Sequence, residues 1–371
     1  MKYSDRFAVL NSVFTPGKDI CLPDTGIDVK NFPFESMRID AGCTETSLQD
    51  YDGILTENLR FGYPVFVPRG KFKSDKAILL LHGLNERSWN KYLCWAEYLC
   101  EQTGKPVILF PIAFHINRSP RSWSDPRSLL SLLNLRRDYS GNDRSVSLAN
   151  VALSERLSNN PLLFYTSGKQ TFHDLETLCT DIRAGMHPLF APNTQIDLFA
   201  YSIGAFLAQI LLLANPGKLF SKSRLFLFCG GSIFSAMQGV SRSIMDRKAF
   251  EKLYNYYLNE FELNSSVIRD TGFGAFRSMI SPERKQAERE QFFNSPASNI
   301  QGISLVNDRV IPYSGVVQAL GNECARRNIS LLDFTFTYSH ENPFPLTNSS
   351  DHQSVNEAFN LVFSQAASFL G

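Results

Sequence analysis

Short, continuous runs of apolar residues recur along this chain, each followed by a helix-like stretch, and that rhythm limits what it can fold into. Lys76–Leu81 (KAILLL), Val107–Phe114 (VILFPIAF), Gln195–Ala200 and Arg224–Phe228 lack the polar alternation of a half-exposed strand. They read as strands buried on both faces, although Pro111 inside the second weakens its claim to a full ladder. Helical stretches separate them: Trp89 to about Glu101, with Ser88 as cap and Gly104 and Pro106 as stop, then Thr171–Gly185, then Ala205–Ala214. The alternation resumes with strand Ile303–Val306, helix Tyr313–Arg327, strand Leu332–Tyr338 and helix Gln353–Leu370. Strands alternating with helices predict an α/β fold: a mainly parallel central sheet with helices on both faces.

Two stretches break the rhythm, 116–167 and 235–297. With 371 residues the chain has room for two domains, or for one large α/β domain with insertions. The strands on either side of each insertion belong to one sheet, so the second arrangement is expected: an N-terminal extension, 1–60, packing on a single domain, 61–371. The extension has one extended candidate at Asn31–Ile39, and Gly62–Val67 follows it. The first insertion interleaves Arg118, Arg121, Arg127, Arg136, Arg137 and Arg144 with Asp125, Asp138 and Asp143, and reads as a solvated, salt-bridged loop, with an anion contact as the alternative. The second reads as helical through Lys248–Phe261 and Pro282–Phe292. Phe250, Leu253, Tyr254, Tyr257 and Phe261 recur at helical spacing and make one apolar face. A helical cap over the sheet edge is expected there, with Tyr254 and Tyr257 facing the pocket.

Charge and cysteines narrow the partners. Lys and Arg number 37 and Asp and Glu 36, a net charge of +1, which argues against nucleic acid or an anionic membrane as the main partner. Seven cysteines, an odd count without CxxC spacing, read as small buried hydrophobes in a reducing, cytoplasmic setting. No apolar signal segment opens the chain. The apolar stretch Leu198–Ala214 is shorter than the roughly 20 residues of a bilayer span, so no transmembrane segment is expected. No metal-ligand spacing is visible, and no metal or organic cofactor is expected. The sequence is silent on oligomeric state.

One of the strands ends in chemistry. In Leu198-Phe199-Ala200-Tyr201-Ser202-Ile203-Gly204-Ala205 a buried strand runs into a helix through a serine. A serine on so sharp a turn is lifted above the sheet, with its following N–H at a helix N-terminus. The turn needs small residues two before and two after, here Ala200 and Gly204. Ala200 departs from the usual G-x-S-x-G by one methyl group. The bland alternative for Ser202 is an ordinary helix N-cap.

At this point the sequence resembles the α/β-hydrolase superfamily from about Gly62 to the C-terminus. His82-Gly83-Leu84 follows the early strand where that superfamily has its oxyanion-hole loop. Asp308 follows a late strand in Leu305-Val306-Asn307-Asp308-Arg309, and His340 follows the last one in Phe336-Thr337-Tyr338-Ser339-His340. The order Ser…Asp…His is that of the superfamily. The resemblance implies a serine hydrolase, of the carboxylic ester or thioester kind, acting on a small-molecule acyl substrate. Ser202 would be the nucleophile, His340 the base and Asp308 its orienting acid, with the backbone N–H groups of Leu84 and Ile203 as oxyanion donors. Acyl transfer by the same residues and a non-catalytic binding role are the alternatives. Asp308 could instead be a turn residue, and His352, in Ser350-Asp351-His352, is the rival base. His82 reads as structural, and Asn85, His115 and Tyr201 are candidates for touching substrate.

Overall fold

The computed structural model describes residues 2–38, 55–70, 73–263, 271–295, 299–347 and 350–371. Among these, nine strands form one sheet in the order β1-β2-β3-β5-β4-β6-β7-β8-β9. They are β1 Ile20–Cys21, β2 Ile27–Glu35, β3 Arg60–Pro68, β4 Ser74–Leu81, β5 Val107–Leu109, β6 Phe190–Tyr201, β7 Leu225–Phe228, β8 Ile300–Leu305 and β9 Ile329–Leu332. The pairs from β5 through β4 to β9 are parallel, and β1, β2 and β3 add an antiparallel flank.

Strand β4 shows why the sheet needs two coats. Ala77, Leu79 and Leu81 enter the core on one face, while Ile78 and Leu80 enter the core on the other. Successive side chains alternate in direction, so a run of apolar residues is stable only when both faces are covered. Helices α1 (Tyr3–Val13), α2 (Asn90–Thr103) and α12 (His352–Leu370) cover one face. Helices α5 (Leu162–Arg183), α6 (Ile203–Ala214) and α10 (Tyr313–Leu320) cover the other. Strand β2 lies within the expected N-terminal extension but begins at Ile27, ahead of the expected Asn31, and pairs along its length with β3. The extension's residues 39–54 lie outside the described ones.

Several sequence expectations change length. Strand β5 stops at Leu109 rather than Phe114, ahead of Pro111, which has no N–H for a ladder; Phe114 and Ile116 then turn the chain with φ of 65° and 52°. The helix expected over Tyr313–Arg327 is two, α10 and α11 (Asn322–Asn328), divided at Gly321 with φ 83°. The expected last strand, Leu332–Tyr338, is replaced by β9 just before it. Phe334, Phe336 and Tyr338 alternate as in a strand, but they pack on one another outside the ladder, with ring centroids 5.1–6.3 Å apart.

The first insertion is not a solvated loop. It folds into α3 (Pro126–Tyr139) and α4 (Val151–Asn159), and two of its arginines are buried. Arg118 pairs with Asp174 at 2.8 Å and lies over the Phe61 ring. Arg136 pairs with Glu155 at 2.7 Å and closely with Asp246 of the second insertion. Asp246 also caps α7 (Arg247–Asn255) by accepting from the Ala249 N–H. Among the described residues of the second insertion, α7 continues into a π-turn at Tyr256–Glu260, and α8 (Thr271–Ser278) and α9 (Gln286–Asn294) follow. Five described cysteines are buried as expected, while Cys21 is exposed.

Candidate active site

The junction of β6 and α6 is held in a conformation that a serine rarely adopts. Ser202 has φ 56° and ψ −123°. Such backbone strain persists only where the surroundings over-determine it, and here two glycines let backbone close in. A Cβ on Gly204 would lie 2.6 Å from the Leu81 carbonyl oxygen and 2.7 Å from that of His82. A Cβ on Gly230 would lie 2.5 Å from that of Ala205 and 3.0 Å from the Ser202 nitrogen. The methyl group of Ala200, by contrast, sits fully buried in the core. The Ser202 side chain makes no capping bond to α6.

That hydroxyl lies instead 2.7 Å from His340 Nε2, and His340 Nδ1 lies 2.8 Å from Asp308 Oδ2. The other carboxylate oxygen accepts from the N–H groups of Val310 and Ile311, at 2.9 and 2.8 Å. Asp308 is therefore aimed by the turn that follows β8. With Nδ1 donating to the carboxylate, Nε2 keeps the lone pair that faces the serine. Ser202, Asp308 and His340 are all at most 5% exposed. His352 opens α12 at the surface, where Nε2 meets the Thr347 carbonyl at 3.3 Å, and it has no bond to Ser202 or Asp308.

The loop carrying His340 is gripped by Tyr201, beside the serine, and by residues that no motif marks. Tyr201, expected at the substrate, is buried: its hydroxyl donates to the His340 carbonyl in a short bond, and its ring stacks on the imidazole at 5.5 Å. Lys91 Nζ sits 4.7 Å from the centre of the Tyr201 ring and donates to the Glu341 carbonyl at 3.0 Å. It also pairs closely with Glu86, which accepts from the Tyr92 hydroxyl at 2.7 Å. Glu341 in turn accepts from the Ser241 hydroxyl of the second insertion. Lys91 and Tyr92 look in the sequence like ordinary residues of an amphipathic helix, so nothing there announces the grip.

The HG loop faces the serine. His82 is buried, with Nδ1 2.8 Å from the Gly83 carbonyl and Nε2 accepting from the Ile112 N–H at 2.9 Å. Burial pushes its pKa down to about 3, so the ring is a neutral strut between this loop and the end of β5. Leu84 and Ile203 border the same cavity as Ser202, and among the described residues neither backbone N–H has a protein acceptor. Asn85, with φ 61°, is not at the substrate side: its amide donates to the carbonyls of Ala149 and Ser243, bridging the two insertions.

Two chambers share Leu84, Phe164 and Ile203 in their walls. The first is lined by Ser202, Leu84, Ile203 and by Met245, Phe250 and Leu253 of the second insertion. That insertion therefore lies over the serine, but not with the side chains expected. Tyr257 is fully buried and exchanges bonds with the Tyr165 N–H and the Pro161 carbonyl, and the Tyr254 hydroxyl donates to the Ser235 carbonyl. The second chamber lies among α5, α6 and α8. His115 is on its wall, with Nδ1 2.9 Å from the Ala113 carbonyl and Nε2 without a protein partner. Burial pushes His115 down to about 3 as well, so it too is neutral. Among the described residues no group of three or more His, Cys, Asp or Glu is placed to hold a metal ion, and no helix is long and apolar enough to cross a membrane.

This architecture is similar to solved structures of esterases. A thermostable esterase from Pseudomonas putida ECU1011 superposes with a TM-score of 0.52 at 10% identity, over 98% of this chain and 88% of that one. Carboxyl esterase 2 from the mycorrhizal fungus Tuber melanosporum gives 0.51 at 8% identity, over 99% and 98%. Among curated protein sequences, none matches. The sheet order, the helical coats and these likenesses establish an α/β-hydrolase fold. By sequence, a family model matches residues 1–371, and the chain belongs to that family, described as "Family of unknown function (DUF6051)".

Proposed function

We propose that the protein is a serine hydrolase that cleaves a carboxylic ester, or a related acyl bond, of a small molecule. The observation that carries this reading is the chain of bonds from Ser202 Oγ through His340 to Asp308, at 2.7 and 2.8 Å, beside an apolar pocket. A serine hydroxyl is a weak nucleophile until a base takes its proton. His340 Nε2 would accept that proton as Ser202 Oγ attacks the acyl carbon. The Asp308 carboxylate would hold the imidazole in place and stabilise the cation it becomes. The carbonyl oxygen, now negative, would lie between the N–H groups of Leu84 and Ile203, neither of which has another acceptor among the described residues. Collapse of the adduct would send the His340 proton to the departing alcohol. Water, deprotonated by the same Nε2, would then release the acid and restore the serine. In this reading 235–297 is a cap on a hydrolase domain, 61–371, that requires no cofactor, and 1–60 is an extension built onto it.

The test is covalent. A fluorophosphonate should label Ser202 alone, and Ser202→Ala should lose both the label and the turnover of 4-nitrophenyl esters. His340→Ala should lower kcat by about 10⁴-fold or more, and His352→Ala should not. Label on another serine, or an active Ser202→Ala protein, would defeat the proposal.

A further inference from the structure

We infer that the second chamber is the acyl-chain site and that Gly168 is the residue that keeps it open; the inference rests on the hydrolase reading and names its substrate class. Leu84, Phe164 and Ile203 border both chambers. An acyl carbon held at Ser202 with its oxygen toward the N–H groups of Leu84 and Ile203 would have the second chamber directly beyond. The wall there is made by Ile112, Phe172, Phe206, Leu207, Ile210 and Phe276. Hydrocarbon entering such a space leaves water for a wall that is mostly apolar, with His115, Ser167, Lys169 and His173 as its polar members.

Gly168 is the anomaly that turns this into a specificity argument. It lies inside the long helix α5, where glycine is a poor helix former. Interior glycines are commonly explained by another backbone packed against them. That explanation fails here, because a Cβ on Gly168 would meet no atom within 4 Å. Yet Gly168 lines the second chamber. Its neighbours pin the helix: the Ser167 hydroxyl donates to the Ala113 carbonyl at 2.8 Å, and the Thr171 hydroxyl accepts from the Ala113 N–H at 2.9 Å and donates to the Ser167 carbonyl at 2.8 Å. A side chain at 168 would therefore occupy the open space instead of pushing the helix away. The substrates implied are esters of apolar acids whose chain runs past Phe164, longer than an acetyl group.

The experiment compares Gly168→Leu with the unaltered protein on 4-nitrophenyl acetate and octanoate, after labelling by a small fluorophosphonate has counted the active sites. The octanoate-to-acetate ratio of kcat/KM should fall at least about tenfold, the scale of a few methylene contacts in an apolar pocket. Ile210→Trp, which fills the chamber from the facing helix, should lower the same ratio and provides the reading if Gly168→Leu does not fold. An unchanged ratio in labelled protein overturns the acyl-site assignment alone. An unaltered protein that neither labels at Ser202 nor turns over either ester defeats the hydrolase reading beneath it.

Discussion

The neutral histidines of the core make the fold sensitive to mild acid. His82 and His115 are each held down to about 3, and His187, bonded to the Tyr63 hydroxyl and buried beside it, to about 4. In each case burial is the first cause, because the charged imidazolium loses its water. An unfolded histidine titrates near ~6.5. Between that value and the folded one, the unfolded chain binds more protons than the native protein, so stability falls as pH falls. The contribution is complete above about 6.5 and is lost progressively toward the folded values. At pH 5 each group has given up about 2 kcal/mol, since the pH is then about 1.5 units below the unfolded pKa. The three together cost about 6 kcal/mol, comparable with the whole stability of many domains. Urea unfolding at pH 7 and pH 5, followed by tryptophan fluorescence, measures the difference. His115→Gln should lower stability at pH 7 yet reduce the drop between the two pH values by about a third, or about 2 kcal/mol. Equal stabilities at both pH values, with equal denaturant slopes, would refute the neutral burial of these rings.

Two further outcomes follow from contacts around the site. Tyr201→Phe keeps the ring stacked on His340 but removes the donor to its carbonyl, and kcat/KM and the labelling rate of Ser202 should both fall about tenfold, the scale of one buried hydrogen bond. An unaltered labelling rate would mean that the hydroxyl does not position His340. Asp246→Ala leaves the buried Arg136 without its main partner and uncaps α7, so stability should drop by about 3–5 kcal/mol and limited proteolysis should open the second insertion first. Cleavage elsewhere, at wild-type stability, would show that this pair does not hold the two insertions together.

Much of this arrangement is legible in the sequence because it depends on local rules. A strand buried on both faces must be apolar throughout, and a serine between such a strand and a helix must be flanked by small side chains. Ser202, Asp308 and His340 could therefore be named in chain order, and the folded chain brings their side chains together. What stays hidden depends on distant partners. Arg118 and Arg136 look like surface charges until Asp174 and Asp246 arrive from other elements. Asn85 looks like a polar residue beside the site, but two carbonyls from separate insertions claim its amide. On α7 and the turn after it, helical spacing identifies the apolar face correctly. It cannot tell that Phe250 and Leu253 would reach the chamber while Tyr257 would be spent on Pro161 and Tyr165.

The close approach of Gly204 and Gly230 to the junction of β6 and α6 has a consequence for how such a protein can change. Ser202 is located by main chain pressing on main chain, from the Leu81–His82 carbonyls on one side and the turn after β7 on the other. The side chains lining the two chambers are not part of that vice. Residues such as Met245, Phe250 or Ile210 can therefore be exchanged, and the shape of the chambers with them, while the serine keeps its place. If the protein is the hydrolase proposed above, reaction and selectivity are mechanically uncoupled, and a lineage carrying this fold could move from one acid to another by small steps and leave the position of Ser202 untouched.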